Sequence, residues 1–412
     1  MKSRTLNKDL SLWRLMEPEV LADPYPLYQR LREHDPVFWD PFLHAWVVTS
    51  YADVLTVLHH YSAQRTPTPE HLASIGLSAL EPLATVMVRQ MLFMDAPVHT
   101  RLRALCSAAF TTGRVAQMRE HIQDITNRLL DAVLPVGRMD VIADFANPLP
   151  AIVTAELLGV PTADHTMLKS WSADFAEMLG NFQHNPDRAS RVLDSLQEML
   201  KYFRSAVRAQ THAPRGGLVR NLTLAELDGA RLSEDEIIAN IIVTMVGGQE
   251  TTTNLIGNGL LTLLNNSSEL AQLRDDPAII EEAVEELLRF ESPSQHTARL
   301  VPEDTVLGNK KLRRHDAVIA VMAAGNRDPA RFLEPDRLLL TRTDNRHLAF
   351  GWAAHFCFGA PLARLEAQIA FATLLRRLPC LSREDGPVVW RENLGLRGLK
   401  SLGVRFTPAV VH

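Results

Sequence analysis

The chain is poor in cysteine: Cys106, Cys357 and Cys380 are the only three in 412 residues. Their number is odd, no two lie close together, and no CxxC occurs. A disulfide framework or a structural zinc site is therefore not expected. A reducing compartment suits such a chain, and the glycosylation patterns at Asn221 and Asn265 then carry no meaning. A basic excess is also missing. Lys and Arg number 43 against 48 Asp and Glu, the formal net charge is -5, and the pI is about 6.3. Nucleic acid is not an expected partner. Long apolar runs are absent as well. None reaches the roughly 18 residues of a membrane span. The nearest, Ile237 to Gly248, is interrupted by Asn240 and Thr244. The opening MKSRTLNKDLSLWRLMEPEV has no apolar signal-peptide core. A cytoplasmic protein with no membrane contact is the expectation. No internal repeat or low-complexity tract is visible.

What is present is an ordinary globular balance, 46% apolar and 22% charged. That suits one large catalytic domain, taken here as residues 1–412, able to enclose a cavity. Most segments read as helix, at about 27–33, 51–60, 98–110, 114–133, 150–158, 164–179, 187–209, 277–290 and 361–378. Phe38 to Ser50 reads as a hairpin. Residues 64–92 read as a partly ordered loop. Strand-like runs occur at Ala317 to Met322 and Gly403 to Phe406. The longest helix starts at Ser233-Glu234-Asp235-Glu236, which has the form of a capping box. It runs ~33 residues, about 50 Å at 1.5 Å per residue, and its apolar character puts it through the middle of the molecule.

Two segments carry chemistry. Phe350 to Gly359 reads FGWAAHFCFG and is followed by a helix opening at Pro361. A thiolate at Cys357 would be stabilised by the dipole of that helix and by backbone N–H groups that glycines admit. A lone cysteine in a turn is usually structural, so the whole decapeptide bears the argument. Met245 to Asn254 reads MVGGQETTTN. Two mid-helix glycines cost up to ~1 kcal/mol each. Gly248 would let a flat cofactor lie against the helix, with Glu250 and Thr251 supplying an acid and a hydroxyl. Close helix packing, with hydroxyls bonded back to carbonyls, is the competing reading.

The decapeptide resembles the cysteine loop of the cytochrome P450 family, Phe-Gly-x-Gly-x-His-x-Cys-x-Gly. It matches at Phe350, Gly351, His355, Cys357 and Gly359, and departs at Ala353, where the family has glycine. Gly247, Gly248, Glu250 and Thr251 match the family's Ala/Gly-Gly-x-Asp/Glu-Thr. Glu286 and Arg289, with Arg337, resemble its structural Glu-Arg trio. The resemblance runs from Asp23 to Phe406. It implies a mainly α fold, triangular, with a small β region and a long central helix over haem b. Cys357 is then the axial iron ligand, and Glu250 and Thr251 deliver protons during oxygen activation. His355, His99, Arg103 and Arg299 contact the haem propionates. Phe350, Gly351, Gly359 and Gly248 complete the cofactor site. Val243, Val246, Ser294, Gln295, His296 and Leu396 line a substrate pocket, with Gln295 and His296 making its mouth polar. Residues 170–190, with Phe175, Met178 and Phe182, form a lid.

The implied activity is haem-thiolate monooxygenation of a small organic substrate, by hydroxylation or epoxidation. A secondary-metabolite intermediate (macrolide, terpenoid or carrier-bound peptide) fits. Electrons come from NAD(P)H through a ferredoxin reductase and a ferredoxin, which docks near Arg101, Arg114 and Arg346. Atypical oxidation (C–C or C–N coupling, desaturation, nitration) and non-catalytic binding of a gas or ligand are the alternatives. A cofactor-free Cys-His hydrolase is disfavoured, because His355 and Cys357 are only two residues apart.

Overall fold

A computed structural model describes residues 8–107, 112–180, 186–212, 216–227 and 230–408. Helices dominate it. The central helix is Glu234–Asn265, and its capping box is formed. The Ser233 hydroxyl accepts the Glu236 N–H at 3.3 Å, and the Glu236 carboxylate accepts the Ser233 N–H at 2.9 Å. Both donors would otherwise be orphans of the helix start. Most of this helix is buried, because other helices pack around it, among them Pro148–Leu158, His165–Gly180, Pro186–His212, Ile280–Phe290 and Ala360–Arg377.

The β structure is small but joins distant parts of the chain. One sheet has the order Val37–Asp40, Ala45–Val48, Ala317–Ala320, Thr297–Leu300. Its first two strands are the expected hairpin, with Trp39 opposite Trp46. The register that pairs Arg299 with Val318 fixes where the Arg299 side chain leaves the sheet. A separate bridge joins Ser294 to Leu396, flanked by Gln295 N–H to Gly395 O and Arg397 N–H to Pro293 O, both 2.8 Å. Two proposed pocket segments, a hundred residues apart in the chain, are thereby brought side by side.

Several expectations change. The 64–92 segment holds two helices, Pro69–Ser74 and Glu81–Met87. The helix expected at 114–133 is split into Thr112–Gln117 and Arg119–Val133. The helix expected at 98–110 is described as Val98–Ser107, and its last residues lie outside the description. The most apolar long stretch is Val141–Leu158, not Ile237 to Gly248. Its mean hydropathy is 1.4 over 18 residues, and 61% of it is buried inside the fold. Pro148 and Pro150 interrupt it, and it serves as core.

The Glu286–Arg289 pair is fully buried and bidentate, at 2.7 and 2.8 Å. Its third member is Arg342, whose Nε lies 3.1 Å from Glu286, not Arg337. Arg337 turns to solvent and meets Glu334, offering only its carbonyl to Arg289.

Candidate functional site: an open glycine face, a cysteine loop and a buried cationic cluster

Successive helix residues point about 100° apart, a consequence of 3.6 residues per turn. Gly247 and Gly248 therefore face different ways. A Cβ at Gly247 would meet nothing within 4 Å, and Gly247 is exposed in the middle of a buried helix. A Cβ at Gly248 would lie 3.0 Å from the Thr154 hydroxyl of a neighbouring helix. The open face belongs to Gly247, and Gly248 is a packing glycine; this corrects the sequence assignment. The Thr251 hydroxyl donates to Gly247 O at 2.8 Å, so it borders the same opening. Val246 is buried in a cluster against which Phe358 and Leu396 pack.

The cysteine loop closes by backbone bonds. Cys357 N–H donates to Phe350 O at 2.9 Å, and Gly351 N–H to Leu348 O at 2.9 Å. Gly351 has φ +70° and Ala353 has φ +55°. Alanine therefore occupies the left-handed conformation that the family's glycine adopts freely, at a cost of roughly 1–2 kcal/mol. Burial pushes the Cys357 thiol up, while N–H groups of Gly359 and Ala360 and the charges of Arg103 and Arg364 pull it down. These are the helix-start donors a thiolate needs. Phe350 stands between His347 and Phe356, with ring centres 5.9 and 6.2 Å away. Arg103 reaches the loop directly. Its guanidinium donates to Phe356 O and lies 5.4 Å from the Phe358 ring centre.

Beside the loop is a buried excess of positive charge. The His99 and His355 rings stack at 4.1 Å. Burial pushes His355 down to about 3, helped by Arg299 and His99. Burial takes Arg299 down to about 10, and burial with Arg299 takes Arg65 down to about 9. Asp95 is the carboxylate at hand, and it already accepts from Ser62 Oγ at 2.5 Å and Ala63 N–H at 2.9 Å. Among the described residues, His99 Nε2 and Arg299 Nε are buried without a hydrogen-bond partner. Buried cations and orphaned donors need an anion. Haem, with two propionates and an iron that takes a thiolate, fits these residues. Arg65 was missed in the sequence. It lies in a segment with no motif, and its guanidinium stacks on Phe93, 4.6 Å from the ring centre.

Glu250 is buried between two cations. Its carboxylate lies 2.5 Å from Lys169 Nζ and 2.5 Å from an Arg391 guanidinium nitrogen. Burial alone would push the carboxyl up, but the two cations outweigh it and hold it below its ordinary value. Burial pushes Lys169 down. A cleft of about 560 Å³, lined in part by Lys169, Arg391, Arg188 and Lys400, opens beside this trio to solvent. Glu250 therefore rests as an ionised group, and neither cation was foreseen.

Other assignments move. Gln295 is buried, accepts from Tyr28 Oη at 2.9 Å and donates to Ser292 O at 2.7 Å. Both ends of its amide are spent on the scaffold, so it adds no polarity to a pocket mouth. Burial pushes His296 down to about 4, and it stands near Arg65, beside the cationic cluster. Phe175 is fully buried core and Met178 packs against that core, whereas Phe182 lies outside the described residues. Val243 is partly buried. Arg101 is paired with Glu236 at 2.9 Å and Arg346 with Asp344 at 3.2 Å. The Arg114 side chain lies outside the description.

Comparison with known proteins identifies the family. A family profile described as "Cytochrome P450" matches residues 161–394. The chain is 36% identical over 391 residues to the "Biotin biosynthesis cytochrome P450" of Bacillus subtilis strain 168, covering 94% of this chain and 97% of that one. It is 35% identical over 396 residues to the 6-deoxyerythronolide B hydroxylase of Saccharopolyspora erythraea, covering 93% and 96%. The crystal structure of P450BioI in complex with hexadec-9Z-enoic acid ligated acyl carrier protein superimposes with a TM-score of 0.89 at 36% identity. It covers 94% of this chain and 99% of that one. The chain belongs to the cytochrome P450 family and is a haem-dependent oxidoreductase.

Proposed function

We propose that this protein is a monooxygenase that inserts one oxygen atom into a secondary-metabolite intermediate built on an acyl or polyketide chain. The open face at Gly247, bordered by Thr251 and backed by Glu250, is the observation that carries the reading. It leaves room for oxygen and substrate beside an alcohol and an acid. Cys357 would hold the haem iron, and His99, His355, Arg299 and Arg65 would hold the propionates. When bound, the haem supplies the oxygen chemistry, favoured by the thiolate's electron donation. The chain's own residues position the substrate, keep water out and manage protons. Thr251 offers a hydroxyl at the opening. Glu250 passes protons inward when Lys169 or Arg391 loosens its hold, and the cleft beside them lets solvent reach the trio.

The substrate class draws on two relatives. One, by its name, hydroxylates 6-deoxyerythronolide B, and another was crystallised with an acyl-loaded carrier protein. A single domain, electrons from NAD(P)H through a ferredoxin reductase and a ferredoxin, and a cytoplasmic location complete the proposal. The test is a titration of haem-loaded protein with a macrolactone, a free long-chain fatty acid and the same acid on a carrier protein, followed by product mass. Displacement of the iron-bound water, and a product heavier by one oxygen atom, is the expected result. A product lighter by two hydrogens, or a coupled product, would replace oxygen insertion with desaturation or coupling. Binding without turnover by a competent electron chain would replace it with ligand sensing.

A further inference from the structure

A second ion pair grips the cysteine loop from outside, and none of the motifs above includes it. Arg364 lies on Ala360–Arg377, the helix that follows Cys357. Its Nε and one terminal nitrogen donate to the two oxygens of Glu285, both at 2.7 Å. Glu285 precedes the buried Glu286 on Ile280–Phe290, a helix anchored in the core. The same carboxylate lies 3.2 Å from His347 Nε2. His347 Nδ1 accepts the Ala349 N–H at 3.2 Å, so in the neutral ring the proton sits on Nε2 and is donated to Glu285. The Arg364 guanidinium carbon is 4.6 Å from the centre of the Phe350 ring, whose carbonyl receives the Cys357 N–H. One carboxylate thus holds a cation over the first ring of the loop and an imidazole beside it.

We propose that Glu285 is a positioning residue that holds Arg364 over Phe350, and that this cation, partly cancelled by Glu285, sets the one-electron reduction potential of the group ligated by Cys357. The inference rests on the haem-thiolate reading. The added electron comes from a one-electron iron–sulfur or flavin donor, which is oxidised as it gives the electron up. A positive charge near the acceptor favours the added electron, and a negative charge opposes it.

The test is a redox titration of the purified, haem-loaded protein, with the carbon monoxide difference spectrum recorded on each sample. Arg364→Gln should lower the equilibrium constant for reduction at least threefold, about 28 mV at 59 mV per tenfold for one electron. Glu285→Gln, whose amide oxygen still accepts from Arg364 and so keeps the cation over Phe350 while the negative charge is gone, should raise it by as much, and Arg364→Lys, which keeps the charge, should return it toward the wild-type value. A merely structural role loosens the loop in both variants and moves both potentials the same way. Shifts of one sign, or shifts below threefold, would overturn the proposal. If Arg364→Gln does not fold, Glu285→Gln decides alone: an upward shift supports the proposal, and a flat or downward one overturns it. Absence of the long-wavelength carbon monoxide band in the wild type would instead remove the thiolate reading, and this inference with it.

Discussion

Replacing Glu250 by glutamine should destabilise the fold more than replacing either of its partners. The trio is one carboxylate, 1% exposed, between Lys169 at 14% and Arg391 at 22% side-chain exposure. In Glu250→Gln the two cations are left facing each other across a neutral amide. Breaking a buried pair this way costs about 3–5 kcal/mol, and the partial exposure of the cations puts this case near the lower end. In Lys169→Gln the carboxylate keeps Arg391, so the loss is one charge-assisted hydrogen bond, about 1.5–3 kcal/mol. The double variant removes one charge of each sign and leaves Arg391, which is partly exposed, as the remaining charge. It should therefore be milder than the sum of the singles by at least about 1 kcal/mol. Denaturant unfolding of the four proteins measures the cycle. The same samples, supplied with electrons, should show product formation reduced about 10²-fold in Glu250→Gln, the scale of a lost proton relay, with electrons diverted to hydrogen peroxide. Additive stabilities would refute the trio as an interacting unit. Unchanged coupling of electrons to product would refute Glu250 as the relay.

Ala353→Gly should relieve the positive φ but add unfolded-state entropy, for a net gain of up to about 1 kcal/mol. Thermal unfolding checks it, and Gly351→Ala, at φ +70°, should move the other way. Arg65→Gln removes a buried cation held down to about 9, so haem-free protein should gain stability while the rate of haem transfer to apomyoglobin rises about tenfold. Equal effects on both forms would count against a propionate role. Glu285 is held at about 2 against an ordinary 4.5 by Arg364 and His347 despite its burial. A depressed carboxyl stabilises the fold above its ordinary value, and that contribution is lost as pH falls toward 2. The advantage of wild type over Glu285→Gln should be about 3 kcal/mol at pH 7 and shrink to about 2 by pH 3.5, as read from urea midpoints.

Local chemistry in the sequence determined much of this protein. The Ser233 capping box, the apolar length of the central helix and the hairpin around residue 42 each act through neighbours a few residues away, and each is found as read. Tertiary structure alone decided the partners that come from far along the chain. Lys169 and Arg391 reach Glu250 across 81 and 141 residues, and no spacing rule links them. Arg342 rather than Arg337 completes the Glu286 cluster, because the chain turns between them and only one guanidinium points inward. Gln295 looked like pocket polarity until Tyr28, 267 residues away, was found bonded to it. Gly247 and Gly248 are indistinguishable as letters. Their roles separate by the 100° between them, and only the packing of Thr154 against one side tells which glycine faces the open space. Short-range hydrogen bonding and periodicity are written in adjacent residues. The direction of a side chain, and the charge waiting where it ends, depend on how distant helices pack.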